Sequence, residues 1–206
     1  MPKWPGHARY GKRAGMLNEE FLDAELFKTH FALRLEPYAS RISVLILEFG
    51  TFAKSTFPSP GHFIDRLDPF LGSLPEGFRY AIEIRNADYL EEGYFTLLAS
   101  HNVAHVFNAW SRMPELGSQL EKPGVDTADL TVVRALLAKG RTYEQAVKDF
   151  EPYELIREPN EGARDALREI ATRSRERKKP AFLYVNNRLE GFAPGTIEAV
   201  AYQIGT

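Results

Sequence analysis

The chain of 206 residues has an ordinary globular composition, with 44% hydrophobic, 12% aromatic and 26% charged residues. Its formal net charge of −2 excludes a generally basic protein, so only a local patch could bind nucleic acid or a membrane surface. The absence of cysteine excludes disulfides, thiolate metal sites and cysteine nucleophiles. The longest strongly apolar run, ISVLILEF, is too short to span a bilayer, and the N-terminus lacks the apolar core of a signal peptide. A cytoplasmic protein without a membrane partner is therefore expected.

The first 17 residues form a basic segment that is expected to be a loop. It has no acidic residue, and proline and glycine are frequent in it. Its basic residues are Lys3, His7, Arg9, Lys12 and Arg13, and its aromatic residues are Trp4 and Tyr10. This pattern is typical either of a loop that covers an active site or of a segment that binds nucleic acid, because aromatic rings stack on bases while cations contact phosphates.

Helices and strands alternate along the rest of the chain. Asn18 is a potential N-cap for a helix that ends at Pro37, and the continuous apolar run 42–49 predicts a strand buried on both faces. Helices are then predicted at 60–74, 90–101, 142–150, 160–178 and 194–204, and strands at 78–85, 102–110, 129–137 and 180–187. Thr142 and Gln145 have the spacing of a capping box, and Asn160 is a potential N-cap.

Five strands that alternate with helices, without hairpin signals, predict an α/β fold with a parallel sheet and right-handed crossovers. No linker or repeat divides the chain, so residues 1–206 are expected to form one domain.

Polar side chains stand at or near the carboxyl end of each predicted strand. They are Glu48, then Glu83 and Arg85, then Asn108, then Arg134, and finally Asn186 and Asn187. Ligands of parallel α/β proteins bind at this end of the sheet, so a shared site is predicted. The alternative is that these side chains cap helices and hold loops.

Glu83 and Arg85 are two residues apart on a strand, so both side chains point to the same face. In a binding site, Arg85 would hold an anion and Glu83 would be an acid/base or would orient the arginine. The alternative is a structural ion pair that closes the sheet.

Several segments resemble the YecE-like family, also called domain of unknown function 72. They are RYAIEIRNADYL, LTVVRALLAKGRTYEQAVKDFEPY, FLYVNNRLEGFAPGTIEAV, and WPGHARYGKRAG followed by NEEFLDAELF. The resemblance covers essentially the whole chain and implies a TIM-barrel-like fold, but it implies no established activity. The family's usual first three strands have no counterpart here, so the chain resembles strands four to eight of a (β/α)8 barrel.

This difference implies an incomplete barrel with two open, apolar strand edges. Three explanations follow: the sequence is part of a longer product, another chain or self-association covers the edges, or the N-terminal helix covers an open sheet.

Sequence patterns leave the metal and cofactor content open. The five histidines do not provide three converging ligands, so no His-rich metal site is predicted, although Glu48 and Glu83 could hold a hard ion such as magnesium. There is no G-x-S-x-G, G-x-G-x-x-G or P-loop motif, and the cofactor is unknown.

Three functions are consistent with these observations. The first is a protein that binds or transforms a small anionic or phosphate-bearing ligand, with Glu83 and Glu48 as carboxylates and Arg85, Asn108, Arg134, Asn186 and Asn187 as ligand-binding residues. Arg188 and Glu190 are added because they are expected to pair across the last loop. The second is a nucleic-acid-binding or repair-associated protein that uses the basic loop, and the third is a non-catalytic remnant.

Overall fold

A computed structural model describes residues 2–4 and 6–204, so Met1 and Pro5 of the basic loop lie outside the described residues. The described part contains one five-stranded parallel sheet. Its strands are β1 (Leu45–Phe49), β2 (Tyr80–Ile84), β3 (Ala104–Ala109), β4 (Thr131–Ala135) and β5 (Ala181–Val185). All five predicted strands are confirmed, and each is three or four residues shorter than expected.

The spatial order of the strands is the same as their order in the chain. Successive right-handed crossovers in such a sheet place all connecting helices on one face. The other face is then the inner face of a curved, barrel-like sheet. An α/β, TIM-barrel-like architecture is therefore supported, with five strands in the described chain.

Alternate strand residues belong to two separate apolar layers. One layer packs against the helices and includes Phe49, Ile82 and Val133. The inner layer is built of small residues such as Ala81 and Val106, both fully buried. This alternation follows from the two-residue period of a strand, and it determines which side chains face the interior of the curved sheet.

Helices connect the strands on the outer face. They are α3 (Pro60–Gly72), α4 (Glu92–Ser100), α5 (Leu116–Leu120), α6 (Tyr143–Phe150), α7 (Glu161–Glu176) and α8 (Ala193–Ile204). The expected capping box of α6 is formed by Thr142 and Gln145, and Asn160 caps α7 by accepting a hydrogen bond from the Ala163 amide at 3.0 Å. No helix among the described residues is long and apolar enough to cross a membrane.

The helical segment before β1 is more irregular than predicted. It comprises α1 (Ala24–Phe27), a π-helical turn (Lys28–Ala32), α2 (Leu33–Leu35) and a 3-10 helix (Glu36–Arg41). The expectation that Asn18 caps this segment is wrong: Asp23 is the cap and accepts from the Leu26 amide at 2.8 Å. The α-helical part ends at Leu35, just before Pro37 as expected, and the chain continues as the 3-10 helix, whose first turn accepts a proline because the missing amide would have no partner there.

Among the described residues, β1 and β5 each pair with one strand only. The segment before β1 lies beside the free edge of β1 and leaves a groove of about 480 Å³. Phe21, Phe27 and Leu47 line this groove. The N-terminal helix therefore covers the edge of β1 in part.

Candidate functional site

Four charged side chains meet on the inner face of the sheet, near the carboxyl ends of β1, β2 and β4. Glu48 and Glu83 are register partners on β1 and β2. Arg85 donates from Nε to Glu83 Oε1 at 3.0 Å, and its Nη2 lies 3.0 Å from Glu48 Oε1. Arg134 donates from Nη1 to Glu48 Oε2 at 2.7 Å and also to Glu83. Each guanidinium therefore contacts both carboxylates.

The contact between Arg134 and Glu48 joins residues that are 86 positions apart in the chain. It connects β4 to β1 across the inner face of the sheet, over the two strands that lie between them. The four-charge cluster therefore joins strands that are not neighbours in the sheet.

The four side chains differ greatly in exposure. The Glu83 side chain is fully buried and that of Arg85 is 9% exposed, whereas the values for Arg134 and Glu48 are 26% and 45%. The Arg85 guanidinium also stacks on Trp110, with its carbon 3.8 Å from the ring centroid. Arg85 and Glu83 therefore form the inner part of the cluster, and Arg134 and Glu48 form its outer part.

The environment keeps Arg134 charged. Burial alone would lower its pKa, but hydrogen bonds to Glu48 and Glu83, together with their negative charge, raise the pKa overall. A permanently charged guanidinium at the outer edge of the cluster is suited to holding an anion.

An open cavity of about 420 Å³ lies beside the outer part of the cluster, between β1 and the last two strands. Its lining residues are Ile46, Glu48, Arg134, Leu136, Tyr184, Val185 and Asn186. Glu83 and Arg85 do not line it. Of the carboxylates in the cluster, Glu48 is therefore the one on the cavity wall.

The two adjacent asparagines after β5 have different roles. Asn186 lines the cavity, and its Oδ1 accepts a hydrogen bond from the Arg188 amide at 3.0 Å. Asn187 Oδ1 accepts from the Ala193 amide at 2.8 Å, at the start of α8. Adjacent strand side chains point to opposite sides, so one amide faces the cavity while the other fixes the loop.

Glu190 does not pair with Arg188, so that expectation is wrong. Glu190 is fully buried and lies 3.0 Å from Arg164 Nε, while its Oε2 accepts from Thr196 Oγ1 at 2.6 Å. Its carboxylate thus connects α7 to α8 and is not available to bind a ligand. Arg188 instead stacks on Tyr143, with its guanidinium carbon 4.5 Å from the ring centroid.

Asn108 is fully buried and is held by the backbone. Its Nδ2 donates to the Ile84 carbonyl at 3.1 Å. The Gln119 side chain accepts from the backbone amide of Asn108 and donates to its backbone carbonyl. Asn108 Oδ1 has no hydrogen-bond partner among the described residues. Asn108 does not line the cavity.

Sequence reasoning missed Tyr184 and Trp110. Tyr184 is the register partner of Arg134 and is 44% exposed in the cavity. Tyr184 is two residues before Asn186, and side chains two residues apart on a strand lie on the same face. The sequence therefore contained a signal that Tyr184 shares the face of Asn186. Trp110 is two residues after Asn108 and could have been placed on the inner face in the same way.

The described residues contain no group of three or more His, Asp or Glu side chains arranged to hold a metal ion. Glu48 and Glu83, the pair considered for magnesium, both bind the guanidiniums of Arg85 and Arg134. Two arginines at the same oxygens oppose a divalent cation, so this pair does not fit a magnesium site.

Comparison with known proteins identifies relatives of the same fold. A DUF72 family protein from Thermotoga maritima superposes with a TM-score of 0.58 and 19% identity over 87% of this chain and 64% of the relative. A DUF72 family protein from Enterococcus faecalis gives a TM-score of 0.60 and 14% identity over 88% of this chain and 66% of the relative. The chain thus spans slightly less than two thirds of the length of these structures.

No curated protein matches the chain. The family model described as "Protein of unknown function DUF72" matches residues 10–206, which is nearly the whole sequence. The chain therefore belongs to the DUF72 family.

Proposed function

We propose that the cavity between β1 and β5 binds a small anion, with a carboxylate or phosphate group held by Arg134. The observation that supports this proposal is that only one of the three nitrogens of the Arg134 guanidinium forms hydrogen bonds with described residues. Its Nη1 donates to Glu48 and Glu83, whereas its Nε and Nη2 make no hydrogen bond to any described residue. Because Arg134 lines the cavity, these two donors are available to a bound anion in the bidentate geometry that arginine favours.

Glu83 supports this role by fixing the guanidinium from behind. A buried carboxylate that accepts from two arginines holds both in place. An arginine oriented in advance loses less conformational freedom when it binds a ligand. We therefore assign Glu83 and Arg85 to positioning.

Glu48 restricts the chemistry of the ligand. The cluster contains two arginines and two glutamates and is neutral as a unit, and the Glu48 carboxylate faces the cavity. A simple anion would meet repulsion from this carboxylate, whereas an anion with a hydroxyl or amino group could donate to it. The site thus favours a hydroxylated or aminated small anion, such as a hydroxy acid or a sugar phosphate.

Glu48 is also the carboxylate that we propose for any proton transfer. It is 45% exposed on its side chain and lies on the cavity wall. Glu83, which the sequence suggested for this task, is held by two guanidiniums and would have to leave both before it could accept a proton.

Thermal unfolding in the presence of a panel of small anions tests the proposal. The panel contains phosphate, sulfate, simple carboxylates, hydroxy acids, amino acids and sugar phosphates. A ligand at 100 times its Kd stabilises a folded protein by about 2.7 kcal/mol. For a chain of this length, this corresponds to a rise in Tm of about 5–10 °C.

Two matched variants test whether a rise in Tm results from binding in the cavity. Tyr184→Trp places a larger ring on the cavity wall, and Tyr38→Trp makes the same change in an exposed residue before β1 that does not line the cavity. We expect Tyr184→Trp to reduce the shift and Tyr38→Trp to keep it. Equal shifts in both variants, or no shift with any hydroxylated or aminated anion, would contradict the proposal.

A further inference from the structure

The described part of the basic segment before α1 was expected to be a loop, but it contains a short 3-10 helix (Ala8–Arg13), and its two ends are joined by backbone hydrogen bonds. Lys3 and Leu17 form an antiparallel bridge, and the Trp4 amide donates to the Met16 carbonyl at 2.9 Å. The Gly15 amide donates back to the Trp4 carbonyl at 3.0 Å. The described side chains of this segment therefore have a defined arrangement. We call residues 1–17 the basic loop.

Two aromatic rings in the basic loop lie side by side, each with an arginine over it. The Arg13 guanidinium lies 5.4 Å from the Trp4 ring centroid, and the Arg9 guanidinium lies 4.8 Å from the Tyr10 centroid. The two rings are 5.6 Å apart and tilted by 44°. Arg9 and Arg13 are both exposed. The result is a row of cation, ring, ring and cation on the surface.

The charge of the basic loop contrasts with that of the rest of the chain. Four of the 26 lysines and arginines and none of the 28 acids lie in the first 17 residues, which leaves 22 cations against 28 acids elsewhere, a net charge of −6. None of the four cations forms an ion pair with any residue of the described chain. A polyanion would thus be attracted to the loop and repelled by much of the remaining surface.

A cavity of about 360 Å³ adjoins the row of rings. It is lined by Trp4, Arg13, Met16, Leu17, Asn18, Glu19 and Glu20. Its apolar wall suits the face of a base, and its carboxylates can accept hydrogen bonds from the amino groups of a base. No residue lines both this cavity and that of the proposed anion site.

The basic loop lies at the same end of the sheet as the anion site. Phe21, which follows the loop, packs against Phe49 at the end of β1 and against Phe52 and Phe57 in the next connection. The two sites thus share the carboxyl end of the sheet but use different residues.

We infer that the basic loop binds single-stranded nucleic acid, with phosphates on Arg9, Lys12 and Arg13 and a base against Trp4. Single strands present both groups that the loop is built to contact, because their bases are free to stack and their phosphates follow at regular spacing. A free phosphate would use the cations but not the rings. The inference goes beyond the anion site and does not depend on it.

Fluorescence anisotropy of a labelled 12-nucleotide single-stranded DNA tests the inference, with titrations between about 25 and 200 mM salt. Each phosphate neutralised on a single strand contributes about −0.7 to the slope of log K against log salt. Three to four contacts therefore give an expected slope of about −2 to −3.

The double variant Arg9→Gln/Arg13→Gln should weaken binding and make the slope less steep by about 1.4, because two contacts are removed. The control Arg34→Gln/Arg66→Gln removes two exposed cations of the helices and should leave the slope unchanged. Trp4→Leu should weaken binding by about fivefold or more, since the stacking of one base contributes about 1 kcal/mol or more.

Three results would overturn the inference. One is the absence of binding at the lowest salt concentration, and another is an equal effect of the two double variants. The third is equally tight binding to vesicles with an anionic lipid surface that also requires Trp4, which would identify a membrane surface as the partner. Circular dichroism spectra like those of the wild type would show that the exposed substitutions leave the fold intact.

Discussion

A buried histidine is expected to make the protein less stable in mild acid. His105 on β3 is 2% exposed and lies among the rings of Tyr94, Phe95 and Phe107. Neither ring nitrogen has a hydrogen-bond partner among the described residues. Burial lowers the pKa of His105 to about 3, and the nearby Gln119 side chain opposes this only in part.

The sign of the effect follows from the two pKa values. An unfolded histidine has a pKa of about 6.5, so at pH 5 about 97% of the unfolded chains carry this proton, whereas the folded site is almost entirely neutral. The stabilisation is therefore complete above pH 6.5 and is lost as the pH falls from 6.5 toward 3. Between pH 7 and pH 5 the free energy of unfolding decreases by about 2 kcal/mol from this residue alone.

Urea denaturation of the wild type and His105→Leu at pH 7, 6 and 5 measures this effect. Leucine fills a similar volume without an unpaired polar atom, so at pH 7 we expect the variant to be at least as stable as the wild type. From pH 7 to pH 5 the wild type should lose about 2 kcal/mol more than the variant.

Val106→Ala is the control for this experiment, because Val106 is a fully buried neighbour that does not titrate. This variant should be less stable at every pH and should keep the pH dependence of the wild type. Equal losses of stability in His105→Leu and the wild type between pH 7 and pH 5 would show that burial of His105 does not cause the acid sensitivity.

Two further pairs of substitutions test the charge cluster and the last loop. Glu83→Gln leaves two arginines with one carboxylate between them and should cost about 3 kcal/mol in urea denaturation, whereas Glu48→Gln, with 45% of its side chain exposed, should cost less than about 1 kcal/mol; equal costs would contradict the assignment of inner and outer parts. Gly191 has φ +109°, and a Cβ there would lie 2.8 Å from the Leu155 carbonyl oxygen. Gly191→Ala should therefore cost about 3 kcal/mol, against about 1 kcal/mol for Gly140→Ala, where φ is +80° and the space is open; similar losses of Tm in the two variants would argue against this close approach.

Local patterns in the sequence were sufficient to predict the elements and their parallel arrangement. The apolar run 42–49 predicts β1 from adjacent residues alone. The capping residues Thr142 and Asn160 bond residues only three positions away, and α6 and α7 begin after them as expected. The segment before β1 was less predictable, because its apolar residues suit a single helix while the backbone changes to a π-helical turn at Lys28.

Long-range geometry determined which polar residues share a site. The strand-end pattern indicated Glu48 and Arg134, but their contact depends on how strongly the sheet curves, which no local pattern specifies. Glu190 was expected to pair with its near neighbour in the chain. Its actual partner, Arg164, is 26 residues away on α7, and full burial of the carboxylate makes that well-bonded arrangement the more stable one.

A crystal structure with a bound anion would test the central proposal most directly. Crystals soaked with the hydroxylated or aminated anion that gives the largest rise in Tm should show it in the cavity between β1 and β5. We expect its carboxylate or phosphate oxygens within hydrogen-bond distance of Arg134 Nε and Nη2, and its hydroxyl or amino group facing Glu48. The same anion bound elsewhere on the protein, with this cavity filled by solvent alone, would contradict the account.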